Sequence, residues 1–214
     1  MDHFESGRDE WMTELDNLDR PADAEFLYDP LTEDGRIRRG NLQRYLSLIA
    51  AGPPPFMLLG EAPGYRGSTV TGVPLMSVRE LVARPGLLTG KAAGDGFLVP
   101  HTTRPGWEST SGAVWRALAE RQGPVPLMWS TYPHHPFSGN DPATNRRPRP
   151  AEIRAGIRIA LLLAELMGVD TLVAMGRVAE RALADQNKTA TAVRHPAQGG
   201  ARIFAEQMRE ILRQ

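Results

Sequence analysis

The chain contains no cysteine among its 214 residues. Disulfides, thiolate zinc sites and iron–sulfur clusters held by cysteine are therefore excluded. Lysine is nearly absent: Lys91 and Lys188 are the only two, so 23 of the 25 basic residues (25 − 2) are arginine. Two readings fit that bias: a compositional habit of the chain, or a use for arginine's planar fork on phosphates and base edges. Net charge is missing as well, since 25 basic residues meet 25 acidic ones. Global charge thus does not announce a nucleic-acid partner. No apolar run reaches the roughly 20 residues of a membrane-spanning helix. The opening "MDHFESGRDEW" has neither the basic nor the apolar region of a secretory leader. A soluble, cytoplasmic protein without a membrane partner is expected.

What the chain does have is core: 41% of residues are hydrophobic, enough for one globular domain over 1–214. Residues 8–18 and 40–50 read as helices of an N-terminal extension packed on that domain. Leu42, Tyr45, Leu46 and Ile49 share one face of the second. The stretch "DPLTEDGRIRRG" between them reads as polar loop. "AGPPP" stops the second helix and launches "FMLLG" as a short buried strand. A helix is expected near 77–84 and an extended piece at "GFLVP", inside a loop-heavy region over 85–110. "SGAVWRALAE" reads as helix with Ser111 as N-cap, and "VPLMWS" as strand. Residues 132–149 form a proline-rich loop. Pro150 opens a helix that Gly168 closes. "DTLVAMG" and "TATAV" are strands, and "RVAERALA" and "GGARIFAEQMREIL" are helices.

Strand–helix alternation of this kind predicts an α/β fold, a three-layer α/β/α sandwich around a central, mainly parallel four-stranded sheet. Ligands of such sheets bind beyond the carboxyl ends of the strands. The four strands end in "GEAPG", "WSTYPHHP", "GR" and "RHPAQGG". Those tails gather Glu61, Ser130, His134, His135, Arg177 and His195 at one edge.

Glu61 lies between Gly60 and Gly64, residues that permit unusual backbone angles and close approach of a ligand. A carboxylate on such a loop can position water or offset a developing cation; it can equally cap a turn or pair with an arginine. His195, before Pro196, can donate to an oxygen gaining negative charge or simply pack at a strand end. Gly199-Gly200 and Gly176-Arg177 open helices whose bare amides suit phosphate; ordinary tight turns read the same way. His134 and His135 point in different directions with no carboxylate cluster near in sequence, so loop packing or ligand contact is expected of them and no metal. Trp115 and Trp129 are expected in the core, with Trp107 in a polar loop the most open case.

Taken in order, these motifs resemble the uracil-DNA glycosylase superfamily, closest to its family-four type. "LLGEAPG" is similar to the first motif of that family, "TGVPLMS" to the wall of its base pocket, and "WSTYPHHP" to the strand that ends in its base-reading Asn. "NRRPRPAEI" is similar to its Asn-Arg-x-Pro-x-Pro-x-Glu helix opening, and "VRHPAQGG" stands in the place of its second motif. The resemblance covers about residues 55–213. It implies a monomeric, monofunctional DNA-repair hydrolase of base excision repair, working without cofactor or metal. The enzyme would flip a deaminated base from the duplex and cleave its N-glycosidic bond. Glu61 and His195 would be catalytic. Gly60, Ala62, Gly64, Tyr65, Leu75 and Ser130 would form the base pocket, and Ser77, Arg177, Gln198 and Gly199 would contact DNA phosphates. The chain departs from the pattern at four points: the cluster cysteines are absent, Leu75 replaces a stacking Phe, Ser130 replaces the Asn, and Ala197 replaces the Ser of His-Pro-Ser. A catalytically silent DNA-binding relative and a nucleoside or nucleotide hydrolase are the two other readings of the same residues.

Overall fold

The structure, a computed structural model, describes residues 2–213. In chain order the elements are α1 (Asp2–Asp16), β1 (Ala24–Glu25), α2 (Glu33–Ala50), β2 (Met57–Gly60), α3 (Ser68–Thr71), α4 (Val78–Leu81), α5 (Ser109–Leu118), β3 (Leu127–Ser130), β4 (His135–Pro136), α6 (Pro150–Leu166), β5 (Leu172–Met175), α7 (Arg177–Ala184), β6 (Thr191–Val193) and α8 (Ala201–Ile211). The fold is α/β, with one four-stranded parallel sheet in the order β3-β2-β5-β6. β2, β3 and β5 are buried along their whole length, which is why they read as continuous apolar runs. β6 buries only Val193 and forms an edge.

Right-handed crossovers dictate the layers. The chain steps from β2 outward to β3, then crosses back to β5 and on to β6. α6 and α7 therefore share one face, while α5 meets α8 on the other. The direction reverses beside β2 and β5, which places the ligand crevice of such a sheet at their carboxyl ends.

The N-terminal helices join the same core. Trp11 donates its indole N–H to the Ile159 carbonyl at 2.9 Å and packs edge-on against Trp129, 5.0 Å between centroids. Tyr45 on α2 serves the edge strand β3: its Oη accepts from Met128 N–H at 2.7 Å. That contact occupies backbone which would otherwise template another strand.

Several local expectations are corrected. The first helix runs over Asp2–Asp16 rather than 8–18. α2 begins at Glu33, so most of the expected polar loop is helical. Thr32 caps it by accepting from Gly35 N–H at 3.0 Å, and Glu33 and Asp34 complement the helix dipole. α5 is capped by Glu108, not Ser111, whose amide donates to the Glu108 carboxylate at 3.2 Å. The helix expected near 77–84 is the single turn of α4. "GFLVP" is in no sheet: both backbone groups of Leu98 bond to the Asn41 side chain, at 2.9 and 2.6 Å, and need no neighbouring strand. The long loop after β3 contains β4, which pairs antiparallel with β1 as Glu25↔His135 and Ala24↔Pro136.

One packing contact makes a stability prediction. Gly156 lies where α6 crosses the end of β3, and a Cβ there would sit 2.2 Å from the Thr131 carbonyl oxygen. Alanine is favoured over glycine within a helix by about 1 kcal/mol, but the clash is with backbone and cannot relax by side-chain rotation. Gly156→Ala is expected to destabilise the protein by about 1–3 kcal/mol, read as a lower denaturation midpoint.

Candidate active site

The four strand ends open onto a cavity of about 630 Å³. Its wall includes Glu61, Ala62, Gly64 and Tyr65 after β2, Ser130 at the end of β3, and His195 with Gln198 after β6. Sequence-distant residues thus converge because parallel strands all end on one side.

Glu61 is half-buried, and its backbone carbonyl is pinned by Thr131 Oγ1 at 2.6 Å and Tyr132 N–H at 3.1 Å. Burial raises its carboxyl pKa, and the nearby Arg147 charge offsets part of that rise. His195 presents a defined tautomer. Its Nδ1 accepts from Ala197 N–H at 3.1 Å, so the ring hydrogen resides on Nε2. Burial, aided by Arg194, lowers its pKa and favours the neutral ring. Glycines let the backbone close around it: a Cβ at Gly200 would lie 2.0 Å from the His195 carbonyl oxygen.

The glycines beside Glu61 serve a different end from the one expected. Neither Gly60 nor Gly64 has a positive φ. A Cβ on Gly64 would meet Glu108 Oε1 at 3.0 Å, and one on Gly60 would meet the Met175 methyl at 3.2 Å. They permit close approach of the protein to itself. Gly60 is buried and is not in the wall of this cavity, which corrects its assignment to the base pocket. Leu75 does line the cavity, at φ 53°, an uncommon angle for a residue with a Cβ. Ser68 Oγ accepts its N–H at 2.9 Å, and Trp115 Nε1 donates to its carbonyl at 3.0 Å.

Ser77 is the clearest correction. It is fully buried, and its hydroxyl donates to Glu80 Oε2, so it cannot meet a phosphate. Arg177 and Gln198 line an adjoining cavity of about 970 Å³, and Gly199 is exposed beside them at φ 75°. His134 packs edge-on against Phe26 and Tyr132, and burial pushes its pKa down to about 4. His135 directs Nε2 at the Thr144 carbonyl, 2.9 Å away. Trp115 and Trp129 are buried, whereas Trp107 is 55% exposed and stands at the cavity wall.

Sequence reasoning missed several wall residues, Glu108, Asn145 and Met175 among them. Glu108 is a second carboxylate whose pKa is raised chiefly by burial. Asn145 accepts Tyr65 N–H at 3.0 Å through Oδ1. Its place at the head of "NRRPRP" was a usable signal; nothing local marks Met175.

The adjoining cavity is strongly basic. Arg147, Arg177, Arg181 and Arg194 line it, with Glu61 and Glu180 the only carboxylates in its wall. Among the described residues none of the four arginines has a carboxylate oxygen within 4.0 Å. Neutral net charge thus conceals a local concentration of positive charge. No protein-family model matches the chain, and no curated protein matches it.

Proposed function

We propose that the protein is a DNA glycosylase of the uracil-DNA glycosylase type, which flips out a deaminated base and hydrolyses its N-glycosidic bond. The observation that carries this reading is the convergence of Glu61 and the Nε2–H tautomer of His195 on one cavity. A carboxylate and a neutral hydrogen-bond donor are the pair this reaction requires. The C1′–N bond breaks with its electrons passing to the base. His195 donates from Nε2 to the carbonyl oxygen where that negative charge collects. The ionised Glu61 offsets the oxocarbenium character of the sugar and orients the water that adds to C1′. The water's proton leaves through the carboxylate and ends on the departing base, giving an abasic sugar and a free base. Ser130 offers one hydroxyl to the base where an amide would offer a bidentate edge. That favours a readout other than strict uracil recognition, with hypoxanthine and xanthine as the natural alternatives.

The test is base release from labelled oligonucleotides carrying uracil, hypoxanthine or xanthine, single-stranded and paired with each normal base, followed by alkaline cleavage of abasic sites. Cleavage of any one supports the reading and names the base. No cleavage, with tight binding to abasic DNA, moves the assignment to a silent DNA-binding relative.

The salt dependence of binding at the arginine-lined cavity tests DNA against a free nucleoside. DNA binding releases counterions in proportion to the phosphates contacted. The double variant Arg181→Gln/Arg194→Gln is expected to reduce the slope of log affinity against log salt by about 1 for each phosphate left without its arginine, about 2 in all. An unchanged slope in a fluorescence-anisotropy titration would remove the phosphate role of this cavity.

A further inference from the structure

The loop that carries Glu61 has few internal restraints. At its start the Glu61 carbonyl is held by Thr131 and Tyr132. Its next fixed point is Tyr65, and there both backbone groups are gripped by distant side chains. Tyr65 N–H donates to Asn145 Oδ1 at 3.0 Å, and Arg104 Nη1 donates to the Tyr65 carbonyl at 3.2 Å.

The Arg104 grip leads back to a single carboxylate. Arg104 Nη2 donates to Glu25 Oε2 at 3.0 Å. Asn145 Oδ1 lies 3.2 Å from His135 Nε2, whereas His135 Nδ1, 3.7 Å from the Glu25 oxygen, makes no hydrogen bond to it. Nε2 faces two acceptors, Thr144 O and Asn145 Oδ1, and so carries the hydrogen. The antiparallel bridge of β1 to β4 sets Glu25 directly opposite His135. Arg38 Nη1 holds the other oxygen of Glu25 at 2.9 Å. Burial would raise the Glu25 carboxyl, yet the charges packed against it, Arg38 and Arg104 among them, hold it down to about 2. The carboxylate is therefore charged at neutral pH.

We propose that Glu25 is a positioning residue for the Glu61 loop, acting through Arg104, which grips the Tyr65 carbonyl. The inference rests on the reading that the Glu61 cavity is the working site. It assigns a role to the N-terminal segment: residues 24–25 add a two-residue strand whose carboxylate braces a loop 40 positions further along (65 − 25). Glu25 does not line the cavity, so it cannot act on a ligand directly.

Hydrogen–deuterium exchange on the full chain tests the brace without requiring any activity. Glu25→Gln keeps the shape and removes the charge. It is expected to speed exchange at the Tyr65 amide about tenfold, with the amides of β2 and β5 unchanged. Asn145→Ala is expected to do the same. Asn145→Asp retains an oxygen for Tyr65 N–H and is expected to restore slow exchange, which general loosening of packing would not do. If Glu25→Gln does not fold, Arg104→Gln removes the link itself while leaving β1 intact, and the same local acceleration is expected. Unchanged Tyr65 exchange in the folded variants overturns the proposal. Acceleration spread equally over β2 and β5 also overturns it, because the role would then be general stability. In base release, Glu25→Gln is expected to lower kcat about tenfold with KM within about twofold, since Glu25 touches no ligand. Should the parent protein release no base, the glycosylase reading fails while the exchange result still decides the brace.

Discussion

Glutamine in place of Glu61 is expected to lower base release by about 10²–10⁴-fold without unfolding the protein. The substitution preserves volume and the backbone contacts to Thr131 and Tyr132, so the loop keeps its path. Only the charge and its basicity disappear. The pH dependence follows from the direction of the pKa shift. The working form is the carboxylate, and burial raises its pKa above the ordinary 4.5. The acid limb of the parent's kcat profile is therefore expected above that value, rising with pH, and Glu61→Gln is expected to lose it. Stability responds in the opposite sense. A carboxyl with a raised folded-state pKa favours the folded state at low pH, and that advantage fades as pH climbs through the folded pKa. At neutral pH the buried charge opposes folding, so Glu61→Gln is expected to melt at or above the parent temperature. Full activity, or a lower melting point with activity intact, would sink the assignment of Glu61.

Removing the His195 ring is expected to cost about 10²–10³-fold in kcat, the usual loss for one donor to a developing oxyanion. The loss falls on kcat more than on KM, because the interaction strengthens only as charge builds on the departing base. His195→Ala shortens a half-buried side chain but leaves the close approach of Gly200 to its carbonyl oxygen in place. Single-turnover measurement with the preferred base separates this step from product release. An equal rate in parent and variant would reassign His195 to packing.

The three fully buried strands were legible because each is a short apolar run with turn residues behind it. β2, β3 and β5 are buried on both faces, and burial on both faces writes itself into sequence as an unbroken run. The alternation with helices then implied a parallel sheet, and a parallel sheet places its strand ends together. Glu61, Ser130 and His195 could be assigned to one cavity on that logic alone.

Ser77 was misplaced because its motif carries no record of burial; the Glu80 carboxylate that claims its hydroxyl becomes a neighbour only through the turn of α4. Gly64 was read as permitting unusual backbone angles and close approach of a ligand; its φ is not positive, and Glu108, 44 positions away (108 − 64), is what crowds a side chain there. "GFLVP" looked like a strand because its residues suit one, yet the Asn41 side chain had already taken the Leu98 backbone.

Local propensity and hydrophobic pattern thus specify the layers, the strand ends and the places of Glu61 and His195, since each depends on residues near one another in the chain. The second carboxylate Glu108, the arginine-lined groove behind Arg147 and the brace from Glu25 to Tyr65 depend on pairs far apart in sequence. Such contacts form only when the sheet order and the β1–β4 bridge have set the register, and no window of sequence holds both partners.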